Sequence, residues 1–353
     1  MKIGILTFHY AYNYGAILQA VSLYDYLKSM GHEVYMINHK NENIIKTYRI
    51  STLFSNINGF KECLLLFPKI CLRLIRFNKF KRFIKKNFLT IECNKIDSLD
   101  CIIIGSDQVW NTSLTNGYDS YYWGCIPFDG YIVSYASSMN SIELSDSDKK
   151  NIKEKLMNFK SISVRESSML NLLSPLTDKK IKLVLDPTML NDYTYWLKRC
   201  NNSKSKSKYI LSYPLRDSET VISLSQKIAG EKLCSLKIIR GDSNWNPFSK
   251  TLNTAGPSEA LSLINNAEIV VTSSFHGTVL SILLQKDFYT IKCKDGNNVR
   301  TESVLNLLGL KDRMIETESD MDLSSHIDYR MVNEILMRER KKSQNYLYSI
   351  LTE

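Results

Sequence analysis

Two α/β domains built on parallel sheets are what the sequence predicts, and three observations carry that prediction. Short β-branched and aliphatic runs alternate with helical stretches; a polar stretch at 201–208, NNSKSKSK, interrupts the alternation; after it the alternation restarts. The length of 353 residues agrees, since a domain typically takes about 150. With 44% hydrophobic and 23% charged residues the composition is that of an ordinary folded protein, which excludes a small cross-linked module and a disordered tail.

Taken in order, Lys2 to Phe8 reads as a strand, His9 to Tyr14 as a loop and Ala16 to Met30 as a helix, with Gly31 where a helix-ending glycine belongs. Glu33 to Asn38 is the next strand, so the loop lies at the carboxyl edge where open parallel sheets bind ligands. CIIIGSD (101–107), YIVSYASS (131–138), SISVRE (161–166) and KLVLDP (182–187) are further strands running into loops, and Asp146 to Phe159 is a helix. Beyond the polar stretch come strand YILSYPL, helix Ser218 to Ala229, strand CSLKIIR, helix Pro257 to Asn265, strand EIVVTS, helix Gly277 to Gln285 and strand FYTIKC. The expected division is a first domain at 1–200, a second at 201–327 and a final helix at 328–353, which either crosses back onto the first domain or stays solvated.

Residues 41–98 stand outside this pattern. They hold twelve basic residues against four acidic ones, a surplus of +8 in a chain whose formal charge is +10. Phe67, Ile70, Leu74, Phe77, Ile84 and Phe88 recur at helical spacing, so a helix here carries an apolar stripe beside a Lys/Arg face. It either packs that stripe on the first domain or lies on an acidic membrane surface. No recognition motif accompanies the charge, so nucleic acid is not the expected partner. The eight cysteines are scattered without CxxC pairs and read as buried, reduced thiols of a cytoplasmic protein. No apolar run suits a signal peptide or a membrane span.

The chemistry-bearing residues cluster at strand ends. In EIVVTSSFHGTVLSILLQ, His276 falls between a strand and a helix, where free backbone N–H groups and the helix dipole favour an anion. Ser273, Ser274 and Thr278 add hydroxyls and Gly277 allows close approach, while a neutral imidazole there can bind or protonate an anionic substrate. Arg165 ends another strand, as an anion clamp or as the partner of Glu166. Ser106, Asp107, Gln108 and Trp110 follow Gly105, and the loop around Asn13, Tyr14 and Gly15, with Gln19 one turn on, has the same mixture of amides and aromatics. Such mixtures suit sugars, although both loops also read as polar connectors with buried rings. Asp186-Pro187-Thr188 ends a third strand and is a weak signal alone. There is no dinucleotide fingerprint, no P-loop and no zinc-protease motif, so no metal or cofactor is expected.

Together, NYGAILQA (13–20), IIIGSDQVWN (102–111), ISVRESS (162–168), LDPT (185–188), VVTSSFHGT (270–278) and the spaced set Arg300, Leu305, Leu308-Gly309-Leu310, Arg313 resemble the polysaccharide pyruvyl transferase family. The resemblance implies a GT-B-like pair of Rossmann-like domains with the site in their cleft. It also implies transfer of the enolpyruvyl group of phosphoenolpyruvate to two hydroxyls of a sugar, giving a cyclic ketal and phosphate, and leaves open whether the acceptor is free, nucleotide-linked or lipid-linked. On that pattern His276 is the general acid and a phosphate contact, and Arg165 and Arg300 are further donor contacts beside Ser273, Ser274, Gly277 and Thr278. Asn13, Tyr14, Gly15, Gln19, Ser106, Asp107, Gln108 and Trp110 form the acceptor side, with Asp107 a candidate proton acceptor. The expected location is the cytoplasm, at the inner membrane face if 67–88 binds lipid. The alternatives are a nucleotide-sugar glycosyltransferase of the same architecture and a non-catalytic binder of anionic surfaces.

Overall fold

The computed structural model describes residues 1–49, 60–139, 143–201, 207–215, 218–240, 252–293 and 298–352. Most of the polar stretch at 201–208 lies outside the described residues. The first half runs β1 (Lys2–Leu6), α1 (Tyr14–Ser29), β2 (Glu33–Ile37), α2 (Glu42–Tyr48), α3 (Phe60–Asn87), β3 (Thr90–Ile91), β4 (Cys101–Ile104), α4 (Thr112–Thr115), β5 (Tyr131–Ser134) and α5 (Asp146–Leu156). It continues with β6 (Ser163–Val164), α6 (Ser167–Leu173), β7 (Lys182–Leu183), a 3₁₀ turn at Pro187–Leu190 and α7 (Tyr193–Arg199). The second half contains β8 (Tyr209–Tyr213), α8 (Ser218–Glu231), β9 (Ser235–Ile238), α9 (Pro257–Asn265), β10 (Ile269–Thr272), α10 (Phe275–Leu283), β11 (Asp287–Ile291), α11 (Val299–Leu307), β12 (Met314–Ile315) and α12 (Tyr329–Thr352).

These strands form two parallel sheets, ordered β3-β2-β1-β4-β5 and β12-β11-β10-β8-β9. The register pairs Ile3 with Val34 and Cys101 in the first sheet, and Ile269 with Ile210 and Asp287 in the second. The β6–β7 pair continues the first sheet beyond β5 through parallel bridges Val133–Ser161 and Ser137–Val164. Parallel strands covered by helices on both faces must be apolar throughout. CIII of β4 and IVVT of β10 are fully buried for that reason. In each sheet the chain reverses its direction of winding once, between β1 and β4 and between β8 and β10, and open α/β sheets bind ligands outside the carboxyl ends of such strands.

Caps set the helix boundaries. Asn13 accepts from the Ala16 N–H at 3.2 Å, so α1 starts at Tyr14, and Tyr14 and Gly15 belong to its first turn rather than to a loop. Gly31, at φ +89°, ends it in the left-handed conformation the sequence implies. Ser274 caps α10 by accepting from the Gly277 N–H at 3.3 Å, so that helix also begins earlier than expected, at Phe275.

Helix α12 crosses back to the first sheet. The Tyr346 hydroxyl donates to Ser134 O at 3.2 Å, the Ser343 hydroxyl accepts from the Leu185 N–H at 2.9 Å and Arg340 Nε donates to Met189 O at 2.6 Å. The basic insertion also bridges. In α3, Phe80 is fully buried and Phe77 packs on the Tyr12 ring, while Phe67 and Leu74 are exposed; Phe88, just past its end, is buried. Arg76 donates to Arg240 O at 2.9 Å and Lys79 pairs with Glu259 at 2.7 Å, both in the second half. The stripe is therefore split, one end internal and the other open, with part of the basic face spent on contacts between the halves. Among the described residues no helix is long and apolar enough to cross a membrane. The seven described cysteines are free, but only Cys101 and Cys293 are buried and Cys125 is exposed, which corrects the expectation of uniformly buried thiols.

Candidate active site

The carboxyl edges of the two sheets face each other across a cavity of 410 Å³. Asn13 reaches it from the β1–α1 loop, Asp107 and Gln108 from the end of β4, Tyr213 and Leu215 from β8, and Ser273, Ser274, Phe275 and His276 from β10 and α10. Arg300 of α11 closes one side and Thr47 and Tyr48 of α2 another. The loops after β1, β4, β8 and β10 all contribute, so the points where the strand order reverses in both sheets converge on one space.

His276 lies one residue inside α10, 8% exposed. A Cβ placed on Gly15 would come within 2.1 Å of His276 Nδ1, so the bare backbone of α1 is what lets the imidazole lie across from the other domain. Its Nε2 has no hydrogen-bond partner among the described residues and stands 3.7 Å from Asp186 Oδ2, too far for a direct bond but near enough for charge to act.

Asp186 is the hub behind the imidazole. Its Oδ2 accepts from Arg165 Nη1 at 2.6 Å and from the Ser106 hydroxyl at 3.2 Å, and its Oδ1 accepts from the Thr188 N–H at 2.9 Å and hydroxyl at 2.6 Å. Burial alone would raise the carboxyl; the His276 imidazole, the Arg165 guanidinium and Thr188 outweigh it and hold Asp186 well below the usual carboxylate range. Arg165 is fixed from two sides, Nε donating to Glu166 at 2.9 Å and the guanidinium lying 4.8 Å from the centre of the Phe275 ring. Burial works against its charge, and Glu166 and Asp186 overcome it, raising Arg165 above its ordinary value.

Of the donor-side residues named from the sequence, Ser273, Ser274, His276 and Arg300 line the cavity. Arg165 does not; it borders a smaller cavity of 100 Å³ that shares Phe275 and Arg300 with the larger one. Arg165 is thus at once the partner of Glu166 and a support for Asp186, and its Nη2 is buried without a partner. Thr278 does not line the larger cavity; its hydroxyl is 2.7 Å from that of Thr290, which does. Gly277 serves packing, since a Cβ there would meet Thr272 Oγ1 at 2.4 Å.

On the acceptor side Asn13, Asp107 and Gln108 line the cavity. Asp107 is held at φ +78°, a conformation costly for most residues and tolerated best by Asn and Asp. With its amide turned to suit its neighbours, Gln108 Oε1 accepts from both Arg300 terminal nitrogens at 2.9 and 2.8 Å, tying the two domains together at the cavity wall. The other expected acceptor contacts lie behind this surface. The Tyr14 hydroxyl donates to Ala255 O at 2.7 Å, Gln19 Nε2 donates to the Thr7 hydroxyl at 2.8 Å, and Ser106 is bound to Asp186. Trp110 offers no face to a sugar, because its ring stacks on Trp123 with centroids 5.0 Å apart and its Nε1 donates to Tyr122 O.

Phe275, Tyr48 and Tyr213 are given no role from the sequence, and Asp186 reads there only as a weak signal at a strand end. Asp186 and Tyr213 do carry a signal, as polar residues ending apolar strands; Tyr48, a residue of a short helix in the insertion, carries none. Burial and the Asp107 carboxylate push the Tyr48 phenol up to about 12. Among the described residues no group of three or more His, Cys, Asp or Glu side chains could hold a metal ion.

Two facing α/β domains with a cleft between their switch points, and a C-terminal helix that returns to the first domain, define a GT-B-like enzyme architecture. A putative UDP-N-acetylglucosamine 2-epimerase from Listeria monocytogenes has this fold at a TM-score of 0.50 and 8% identity, covering 97% of this chain and 89% of that one. UDP-GlcNAc 2-epimerase from Methanocaldococcus jannaschii is similar at a TM-score of 0.49 and 12% identity, covering 100% and 99%. Glycosyltransferase SsfS6 from Streptomyces sp. SF2575 follows at 0.46 and 14%, covering 100% of both chains. No curated protein matches by sequence. The model of the family called polysaccharide pyruvyl transferase matches residues 13–295, and the chain belongs to that family.

Proposed function

We propose that this protein transfers the enolpyruvyl group of phosphoenolpyruvate to two hydroxyls of one sugar residue in a surface-polysaccharide precursor, forming a cyclic pyruvate ketal and releasing phosphate. The observation that carries the proposal is the division of the cavity: His276 and Arg300 come from one domain, and Asn13, Asp107 and Gln108 from the other. Family membership supports the reaction class. The donor bears a carboxylate and a phosphate, and Arg300 with the hydroxyls of Ser273 and Ser274 supplies cationic and polar contacts for them.

In the reaction the methylene carbon of the donor gains a proton from His276 and becomes a methyl group, leaving a cationic centre on the adjacent carbon. One sugar hydroxyl adds there as its proton passes to Asp107. The second hydroxyl then bonds to the same carbon as the phosphate departs, and its proton leaves with the phosphate. The proton taken by Asp107 then returns through solvent to His276, which resets both groups, while Asp186, itself held by Arg165 and Thr188, orients the imidazole from 3.7 Å.

Incubation with phosphoenolpyruvate and a panel of sugar acceptors, read by mass spectrometry and phosphate release, tests the proposal. The expected result is a ketal on one acceptor and phosphate in equal amount. His276→Asn and Asp107→Asn should each lower turnover by about a hundredfold or more with the fold intact. Asn is chosen at 107 because it tolerates the positive φ. Wild-type turnover in either variant removes that residue from the mechanism, and thermal stabilisation by a nucleoside diphosphate with none by phosphoenolpyruvate would favour the glycosyltransferase alternative.

A further inference from the structure

A second cavity, of 570 Å³, opens on the other side of Tyr48. The β1–α1 loop, α2 and the last turns of α3 enclose it, and Tyr10, Tyr12 and Tyr48 stand in its wall with Lys40, Lys81 and Lys85. No acidic side chain among the described residues lines it, and no ion pair engages any of the three lysines there. This contrasts with Lys79 on the same helix, which is neutralised by Glu259. Lys81 and Lys85 are four residues apart and so sit on one face of α3, with Lys40 approaching from the end of β2. Like charges gathered around a concave surface without counter-ions raise the local positive potential and attract an anion. A phenol hydroxyl can donate to a phosphate oxygen, and Tyr12 and Tyr48 offer two, since that of Tyr10 is engaged by the Asn41 N–H at 2.8 Å and by the Tyr122 hydroxyl.

The two cavities share Tyr48 as a common wall, and the β1–α1 loop serves both, Asn13 in the first and His9, Tyr10 and Tyr12 in the second. From the juxtaposition of this lysine–tyrosine cavity with the acceptor side of the active site, we infer that it binds a phosphate or diphosphate group carried by the acceptor. The sugar then lies at Asp107 while its phosphate end lies at Lys40, Lys81 and Lys85. The inference that the group belongs to the acceptor rests on the proposed function; the anion site itself does not.

Calorimetric titration with inorganic pyrophosphate tests the site on wild type, on Lys40→Gln/Lys81→Gln/Lys85→Gln and on His276→Asn. The expected result is affinity lowered about tenfold or more by the triple lysine variant, restored when the three are Arg, and unchanged by His276→Asn. Co-sedimentation with phosphatidylglycerol vesicles distinguishes the source: binding lost with the lysines there, and absent with pyrophosphate, assigns a lipid phosphate. Unchanged affinity for both probes in a folded triple variant overturns the inference, as does pyrophosphate binding that follows His276 instead. With a competent acceptor, the triple variant should raise the acceptor KM and leave the phosphoenolpyruvate KM alone. Lysine-dependent binding without any phosphoenolpyruvate turnover would keep the anion site and refute the transferase, whereas turnover with a lysine-independent acceptor KM would do the reverse.

Discussion

His9 closes β1 with its Nδ1–H donating to Thr7 O at 3.1 Å and only 2% of its surface exposed. Burial lowers its pKa from 6.5 to about 4, and the nearby Lys40 charge adds to the effect. The unfolded chain therefore takes up the proton first, and the stability this residue lends is complete above pH 6.5 and falls away as the pH drops toward 4. At 1.36 kcal/mol for each pH unit, the loss is of the order of 3 kcal/mol. Asp186 behaves differently, since its depressed carboxyl pKa keeps its contribution until the pH falls below the ordinary value of 3.8. His9→Asn retains a donor for Thr7 O but cannot charge. Its unfolding free energy in urea should fall less between pH 7 and pH 4.5 than that of the wild type; an equal fall would show that another group sets the acid sensitivity.

At the first turn of α1, helix propensity and the site pull in opposite directions. Alanine is preferred to glycine inside a helix by about 1 kcal/mol, so Gly15→Ala should stabilise the isolated element. In the folded protein the added methyl would stand 2.1 Å from His276 Nδ1, and either the ring or the helix must move. The expected outcome is turnover lost by at least about tenfold with no gain in melting temperature. Wild-type turnover in a stabilised variant would mean that the ring's position is not set by this contact. The elements themselves are legible in the sequence because buried parallel strands are short aliphatic runs and because Asn13, Ser274 and Gly31 mark helix ends locally. Residues whose role depends on distant partners are less so. Trp110 reads as a sugar platform until Trp123 covers its face, and Asp186 gains its meaning only when Arg165, Ser106 and His276, from three other segments, converge on it. The same holds for α3, whose spacing shows an apolar stripe but not that Arg76 and Lys79 bind the second half of the chain.

The hydrophobic core follows the division into two sheets only in part: one cluster lies within the first half and another within the second, but the largest crosses between them. One continuous cluster takes in Ile5, Leu18 and Val21 from the first half, Trp196 of α7, Leu261, Val279 and Phe288 from the second half, and Leu336 and Leu347 of the returning helix. Separating the domains would expose both sides of this cluster, at a cost of about 25 cal/mol for every Å² of apolar surface. Polar ties lie at its rim: the Tyr14 hydroxyl to Ala255 O, Lys79 with Glu259, and Gln108 with Arg300 beside the cavity. The Lys79–Glu259 pair, half-buried and still reached by solvent, contributes about 1 kcal/mol, so apolar continuity rather than charge must hold the halves together. Unfolding should accordingly be a single cooperative transition despite the two-sheet architecture. With Trp245 of the second half replaced by Phe in every protein compared, the remaining Trp110, Trp123 and Trp196, all fully buried, report on the first sheet and the junction, whereas far-ultraviolet circular dichroism reports on all helices. The two signals should give the same urea midpoint, for the wild type and for Lys79→Ala alike. A dichroism phase that finishes before the tryptophan emission shifts would mean that the second sheet unfolds by itself and that the shared cluster does not couple the domains.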